Sequence, residues 1–221
     1  MNHKQQTTTN QQPTTKLIIF TRYPEAGKTK TRLIPALGKD GAAQLQQEMT
    51  EHSLRQVTPL LTQPSLQVEI QFAGGNKGLM EDWLGANWCY TPQTEGDLGQ
   101  KLETAFAQAF AQGIERVVIM GIDCPDLSAD LLNQAFEQLK TVDLVLGEAE
   151  DGGYYLIGLR RMIPGLFTGV AWGTSTVFAT TLEKAKTEGC DYATLPVLND
   201  IDYPEDLPLW ETKAKEASAR N

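Results

Sequence analysis

The sequence predicts an α/β fold in three layers, with a mostly parallel β-sheet covered by helices on both faces. Short apolar runs typical of buried strands alternate with amphipathic segments of helical length along most of the chain. Glycine and proline mark the segments between them. Neither an internal repeat nor a long linker divides the sequence, so its 221 residues fit one domain of ordinary size.

The first third of the chain supplies two strands and a long helix. An apolar run over 16–20 predicts the first strand, and a loop rich in glycine and proline follows from 21 to about 38. A helix is expected over about 40–60. Alternation of apolar and polar residues over 67–72 predicts the second strand.

The rest of the chain continues the alternation. A helix is expected over 97–112, because apolar residues recur there at a spacing of four and Gly113 follows as a stop signal. The remaining elements are strands over 117–122, 143–147, 154–159 and 191–195, and helices over 128–140 and 174–188. In sheets of this kind, ligands bind outside the carboxyl ends of the strands.

Composition excludes several classes of function. The net charge of −9 disfavours a nucleic-acid partner, so any bound anion needs a local basic pocket. Cys89, Cys124 and Cys190 lie far apart, which argues against a disulfide framework or a zinc site, and their odd number fits the reducing cytoplasm. Of the two histidines, only His52 lies in a predicted element, and no motif of a catalytic triad surrounds it.

The ends of the chain differ from the middle. No apolar run reaches the length of a membrane span. Residues 1–15 are rich in Gln, Thr and Asn and lack the apolar core of a signal peptide, so they predict a disordered polar tail. We expect one domain over 16–210 and a C-terminal tail over 211–221.

A basic loop follows the first strand. Gly27 allows the backbone to approach an anion closely, and four cations surround it against one acid: Arg22, Lys28, Lys30 and Arg32. The run Gly-Lys-Thr at 27–29 resembles the end of a Walker A loop, but Arg22 stands where that motif needs glycine. A solvated surface loop is the alternative for the charge cluster; its position at a strand end favours a phosphate site.

Acidic residues follow the central strand and recur near the C-terminus. Asp123 comes directly after the strand at 117–122, where a carboxylate can hold Mg²⁺ or Mn²⁺. Asp200 and Asp202 offer a second carboxylate for the same ion, although a capped turn explains them equally well. Asp126 is better explained as a turn or cap residue, and Cys124 as a packed side chain.

Five motifs together resemble a bacterial glycosyltransferase-like family related to phospholactate guanylyltransferase and molybdenum-cofactor guanylyltransferase. They are FTRYPEAGKTKTRL (20–33), GDLG (96–99), GIDCPDL (121–127), EDGGYYLIG (150–158) and DYPEDL (202–207). The resemblance covers residues 16–210 and implies the GT-A (nucleotide-diphospho-sugar transferase) fold. Asp-Cys-Pro at 123–125 departs from the Asp-x-Asp of glycosyltransferases and is similar to what the nucleotidyltransferases show.

The resemblance also implies roles for individual residues. It assigns nucleotide phosphates to the four loop cations, Arg22, Lys28, Lys30 and Arg32. A divalent cation, Mg²⁺ or Mn²⁺, falls to Asp123 and Asp202, while Asp97 and Gly99 lie where the relatives contact the base or ribose. Lys28 and Asp123 then act in catalysis, and position alone suggests Asp151 or Glu150 as a general base.

Three functions remain open at this point. The first is glycosyl transfer from a nucleotide-diphospho-sugar to a small-molecule acceptor, which the family resemblance favours. The second is nucleotidyl transfer, in which a nucleoside triphosphate reacts and pyrophosphate leaves; it makes more use of several cations. The third is a nucleotide-binding module without catalysis, which would not need Asp123.

Overall fold

A seven-stranded sheet forms the centre of the chain. We describe it from a computed structural model that covers residues 14–218, with side chains through 215. The strands are β1 (Thr15–Arg22), β2 (Leu66–Ala73), β3 (Cys89–Pro92), β4 (Arg116–Met120), β5 (Leu144–Ala149), β6 (Tyr154–Leu159) and β7 (Tyr192–Leu198). Their order across the sheet is β3-β2-β1-β4-β6-β5-β7. All neighbours are parallel except at β6, which runs antiparallel to both β4 and β5.

Helices cover both faces of the sheet. They are α1 (Ile34–Val57), α2 (Lys77–Leu84), α3 (Leu98–Ala111), α4 (Ala129–Gln138), α5 (Val177–Thr187) and α6 (Leu207–Ser218). Residues of α1, α2, α4 and α6 share one apolar core, and residues of α3 and α5 share the other. The predicted α/β class, with a mostly parallel sheet between two helical layers, is confirmed.

The strands are apolar at successive positions because each face is buried. On β1, Leu17 and Ile19 belong to the core beneath α1, whereas Ile18 belongs to the core beneath α3, and all three are fully buried. The neighbouring strand repeats the alternation, with Val118 on the first face and Val117 on the second. This pattern is typical of parallel strands covered on both sides, and it places the strand ends at a common edge.

Three short or terminal elements were not predicted: α2, β3 and α6. Strand β3 has only four residues, and α2 has eight; its N-cap is Asn76, whose side chain accepts a hydrogen bond from Leu79 N at 3.0 Å. Segments this short carry too few apolar positions to establish a period. Helix α6 extends to Ser218, so residues 211–218 of the predicted C-terminal tail are helical. The polar tail predicted for 1–15 lies outside the described residues except at its end, where Thr15 already begins β1.

The basic loop is shorter than predicted. A 3₁₀ turn spans Thr31–Leu33 and leads directly into α1, which is interrupted at Gly38. Gly38 has φ 71° and ψ 173°, outside the helical region, so the regular part of α1 begins close to residue 40, where the sequence predicted it. Within residues 14–218, no helix has both the length and the apolar character needed to cross a membrane.

Candidate active site

A cavity of about 590 Å³ opens at the edge of the sheet where the parallel strands end. The ends of β1 and β2 contribute Arg22 and Ala73, and the segment after β4 contributes Asp123. Because β6 is antiparallel, its first residue, Tyr154, reaches the same edge. The basic loop and Asp202, distant in sequence, complete the wall. This is the edge at which α/β sheets bind ligands.

Lys30 holds the two predicted metal carboxylates together. Its side chain is only 5% exposed, and Nζ lies 2.6 Å from Asp123 Oδ1 and 3.1 Å from Asp202 Oδ1. Nζ also donates to the carbonyl oxygen of Ile201 at 2.5 Å. Burial alone would lower the pKa of Lys30, but the two carboxylates outweigh it and raise the pKa, so the side chain is a charged ammonium.

Two further cations of the loop, Arg32 and Lys28, are more exposed. Arg32 Nη1 lies 3.1 Å from Asp202 Oδ2, and its guanidinium sits 5.0 Å from the centre of the Tyr203 ring. Lys28 pairs with Glu25 at 2.6 Å on the surface. An exposed pair of this kind contributes little to stability, so Lys28 can exchange its partner readily. Both side chains line the cavity.

Arg22 and Lys101 are the unpaired cations of the cavity. Both line it, and within residues 14–218 neither side chain makes an ion pair or a hydrogen bond. Lys101 lies in the first turn of α3 and was not singled out from the sequence. A signal was present, because a cation near a helix N-terminus opposes the helix dipole and is unfavourable without an anion.

A divalent cation fits the oxygens of Asp123 and Asp202. The two carboxylates contact one ammonium nitrogen, so they lie close enough to share a single cation. The part of the chain that the structure describes contains no group of three or more His, Cys, Asp or Glu side chains able to hold a metal by themselves. Mg²⁺ is commonly held by one or two carboxylates together with substrate phosphates, and this donor set suits such an arrangement.

A buried polar network supports the end of β1. Gln46 on α1 donates through Nε2 to Thr21 Oγ1 at 3.2 Å and to the Arg22 carbonyl oxygen at 3.3 Å. Thr50 shares a hydrogen bond of 2.8 Å with the Thr21 hydroxyl. Gln46 also lines the cavity, although no sequence motif predicts it as a site residue. The network fixes the backbone that carries Arg22.

Four of the predicted site residues do not line the cavity. Gly27 adopts a positive φ of 80° in the loop, and Asp97 caps α3 by accepting a hydrogen bond from Gln100 N at 2.9 Å. Gly99 is buried against Trp172, whose Nε1 would lie 2.5 Å from a side chain at that position. The Asp151 carboxylate accepts a hydrogen bond from Gly153 N at 2.7 Å. Arg22, Lys28, Lys30, Arg32, Asp123 and Asp202 do line it.

Two further titratable groups, Cys124 and Asp200, lie near the carboxylates of Asp123 and Asp202. Burial, with the charge of Asp123 adding to it, raises the pKa of the Cys124 thiol, so it is not an activated nucleophile. This agrees with the packed role expected from the sequence. Burial and the neighbouring Asp151 charge raise the pKa of Asp200 to about 6.

The fold and the position of the cavity define the class of protein to which this chain belongs. It is similar to a protein from Desulfovibrio desulfuricans G20, provisionally described as a nucleotide-diphospho-sugar transferase, with 34% sequence identity and a TM-score of 0.81 over 86% of this chain and 83% of that one. The chain has the GT-A (nucleotide-diphospho-sugar transferase) fold. The fold expected from the sequence motifs is therefore confirmed.

The sequence profile of the DUF2064 family, described as uncharacterized proteins conserved in bacteria, matches residues 56–174. The chain belongs to this family. The matched span includes Asp97, Asp123 and Asp151, whereas the basic loop and Asp202 lie outside it. Among curated proteins, none matches the sequence.

More distant structures share the fold. One is glucosyl-3-phosphoglycerate synthase from Mycobacterium tuberculosis in complex with Mn²⁺, uridine diphosphate and glucosyl-3-phosphoglycerate, at 10% identity and a TM-score of 0.55 over 88% of this chain and 74% of that one. Another is inositol-1-phosphate CTP transferase from T. maritima, at 14% identity and a TM-score of 0.53 over 92% and 96%. The same fold thus occurs in a protein named for glycosyl transfer and in one named for nucleotidyl transfer.

Proposed function

We propose that this chain is a metal-dependent transferase that uses a nucleotide-activated donor, and that it transfers a glycosyl group from a nucleotide-diphospho-sugar. One observation carries the proposal: a single cavity at the strand ends combines several basic side chains with two carboxylates that both contact the Lys30 ammonium. The 34% identical protein described as a nucleotide-diphospho-sugar transferase supports it. We infer one transferase domain over 16–210, acting in the cytoplasm.

In this proposal, the cations of the cavity bind and orient the diphosphate of the donor. Arg22 and Arg32 offer bidentate forks to phosphate oxygens, and Lys28 offers a mobile point charge. Lewis-acid stabilisation of the leaving phosphates is the chemistry that Mg²⁺ or Mn²⁺ supplies when Asp123 and Asp202 hold it. Charges held in place before the reaction stabilise the developing negative charge without having to reorganise.

The donor and acceptor extend to either side of the phosphates. Gly27, Asp97 and Gly99 would act next to the cavity through the backbone and the first turn of α3, where we expect the ribose and base. Asp151 stands at the turn between β5 and β6, and we propose that it accepts the proton of the acceptor hydroxyl. The acceptor is then a small molecule that enters from the side of β6.

Nucleotidyl transfer is the second candidate, in the manner of the guanylyltransferases that the motifs resemble. The observation that favours it is Lys101, which adds a fifth cation to the cavity. A nucleoside triphosphate carries more negative charge than a nucleotide-sugar and gains more from such a cation. Against this, the 34% identical protein is described as a nucleotide-diphospho-sugar transferase. We therefore place glycosyl transfer first.

A panel of nucleotides and nucleotide-sugars with Mg²⁺ or Mn²⁺, read by thermal shift, tests the binding step. A ligand at 100 times its dissociation constant adds about 2.7 kcal/mol to stability. For a domain of this size, this raises the melting temperature by about 5–11 °C. Incubation of the best donor with acceptors then decides the class, since free nucleoside diphosphate indicates glycosyl transfer and pyrophosphate indicates nucleotidyl transfer. If no donor shifts the melting temperature, the proposal fails.

Asp123→Asn tests the metal site directly. The variant keeps the size and an acceptor oxygen but removes the charge, so we expect turnover to fall by at least about 100-fold and metal-dependent donor binding to be lost. Asp130→Asn is the matched control, because Asp130 is an exposed carboxylate in the first turn of α4 and does not line the cavity. Retained turnover in Asp123→Asn would rule out the metal site. Donor binding without any turnover by the wild-type protein would instead favour the remaining candidate, a nucleotide-binding module without catalysis.

A further inference from the structure

We propose that Lys30 is a built-in cation of the Asp123–Asp202 pair, which positions both carboxylates and competes with a divalent cation for their oxygens. This role differs from the direct phosphate contact that the sequence motifs imply for Lys30. It rests on the metal site of the proposed function. Lys30 is therefore a positioning residue, and the exchange between its ammonium and the ion links metal binding to phosphate binding.

The hydrogen bonds of Lys30 leave no donor for a phosphate. A lysine ammonium has three N–H groups. Three acceptors surround Nζ at 2.5–3.1 Å: the carbonyl oxygen of Ile201 and one carboxylate oxygen each from Asp123 and Asp202. While these contacts hold, Lys30 cannot also bind a phosphate. Arg22 and Lys28 therefore differ from Lys30, because their side chains are available at the cavity wall.

The backbone of Lys30 is built for this placement. Lys30 has φ 44° and ψ 45°, and it is the one residue other than glycine with a positive φ among those the structure describes. A left-handed conformation is unfavourable for a residue with a side chain and persists only where the surroundings hold it. Here the following 3₁₀ turn, closed by a hydrogen bond from Leu33 N to the Lys30 carbonyl oxygen at 2.9 Å, directs the side chain inward.

The charges predict competition. Lys30 neutralises part of the charge on Asp123 and Asp202, and a divalent cation that approaches the same oxygens is repelled by the ammonium. The Asp123 side chain is 47% exposed, so an ion can reach it from the cavity. An ion that takes both carboxylates releases the ammonium of Lys30, which then becomes free to bind a phosphate of the donor. Phosphate binding by Lys30 thus belongs to the ion-loaded state.

Titration of Mn²⁺ without nucleotide, read by electron paramagnetic resonance of the free ion, tests the competition. We expect Lys30→Met to bind Mn²⁺ at least about 5-fold more tightly than the wild-type protein, because reciprocal coupling between two cations at one site is removed. Arg32→Met is the control. Of the two carboxylates, Arg32 pairs only with Asp202, and its side chain is half exposed, so its effect on Mn²⁺ affinity should be smaller. Equal or weaker Mn²⁺ binding by Lys30→Met would overturn the proposal, as would no measurable binding by either protein.

Acetylation of lysines in the wild-type protein provides a second test that needs no variant to fold. Saturating Mn²⁺ should increase the labelling rate of Lys30 several-fold, as measured by peptide mass spectrometry. Lys16 is the matched control, because it is equally buried and pairs with Glu69 at the opposite edge of the sheet. An unchanged Lys30 rate at saturating Mn²⁺ would refute the proposal. Donor binding and product release by the wild-type protein measure the proposed function independently.

Discussion

Lys101 shows how a single residue can be unfavourable for stability and useful for binding. It lies in the first turn of α3, where the helix dipole disfavours a cation by about 0.3–1 kcal/mol. No carboxylate among the described residues forms an ion pair with it, although the Asp97 carboxylate caps the same helix one turn earlier, and the side chain lines the cavity. A bound diphosphate would offset this cost, so affinity and stability should respond oppositely when the charge is removed.

Lys101→Met is therefore expected to leave the melting temperature of the ligand-free protein unchanged or slightly raised. The free energy of donor binding should weaken by about 1.5–3 kcal/mol, the range for a hydrogen bond to a charged group. Calorimetric titration of the best donor, together with thermal unfolding, measures both. Lys140→Met serves as control, since Lys140 is exposed and pairs with Glu137 away from the cavity. A Lys101→Met variant that is destabilised and binds normally would assign Lys101 to the fold.

The sequence located most of the charged residues of the cavity wall but not the contacts between them. Arg22 and Asp123 could be placed because each follows a strand, and parallel strands share their carboxyl edge. The contact of Lys30 with Asp202 joins residues 172 positions apart, which no local pattern reveals. Gln46 and Lys101 escaped notice because the direction of a helical side chain depends on how the helix packs. The position of Lys101 near the start of α3 was a signal in the sequence, but the place of Lys101 and Gln46 in the cavity wall follows from tertiary structure.

At the scale of elements, two helices hold the segment that carries Asp123. His52 on α1 donates a hydrogen bond of 2.8 Å from Nε2 to the Pro125 carbonyl oxygen, and its ring packs edge-on against Trp210 of α6 with 5.7 Å between the ring centres. Lys213 of α6 pairs with Asp126 in the same segment. The position of Asp123 thus depends on a helix that begins more than eighty residues later. These contacts between α1, α6 and the segment that carries Asp123 are sensitive to the charge of His52.

Because His52 takes part in these contacts, the free energy of unfolding should depend on pH. Burial lowers the pKa of His52 below its ordinary value of 6.5, and the nearby charges of Arg55 and Lys213 act in the same direction, while the hydrogen bond to Pro125 and the charge of Asp126 oppose it. The unfolded chain therefore binds a proton more readily, so stability is full above pH 6.5 and falls as pH drops below it. For this one group, the slope cannot exceed about 1.4 kcal/mol per pH unit.

Urea unfolding at pH 7.5, 6.5 and 5.5 measures this loss. His52→Gln is the comparison, because its amide can still donate to Pro125 but does not titrate. We expect the variant to show a flatter dependence over this range. Equal slopes in the two proteins would mean that other groups govern the response.

Sequence patterns predicted the elements that have a clear apolar run or an apolar period. The period of four in α3 and the apolar runs of β1 and β4 are unambiguous, and the observed elements lie within a few residues of the expected bounds. Helix α6 was missed because only Trp210 of its first turns is well buried, so its apolar stripe is narrow. Helix α6 is stabilised by the contact of Trp210 with His52 rather than by an apolar pattern of its own.

At the scale of the whole molecule, the charge of the cavity opposes the charge of the chain. The net charge is −9, yet five cations and two carboxylates line the cavity. Far from the cavity, the net negative charge of the chain repels an anionic donor. Close to the cavity, the local cations attract it. Salt screens both effects, but buried and close contacts are screened less. The balance between them decides how ionic strength acts on binding.

We expect donor affinity to weaken by only about 2- to 3-fold between 0.05 and 0.3 M NaCl, because repulsion by the surface is screened together with attraction in the cavity. Titrations of the best donor at three salt concentrations test this. A loss of 10-fold or more would show that the cavity acts as an exposed basic patch. Lys28→Ala should reduce the remaining salt dependence, since Lys28 is the exposed lysine of the cavity.

The contact between Lys30 and the carbonyl oxygen of Ile201 spans 171 positions of the chain. Synthesis runs from the N-terminus at about 5–20 residues per second, so the ribosome makes the basic loop many seconds before its partner. Until residues 201 and 202 emerge, Lys30 has only Asp123 among its three acceptors. A nascent chain that stops short of this point can contain most of the sheet and still lack a finished site. Completion of the site therefore requires translation through Asp202.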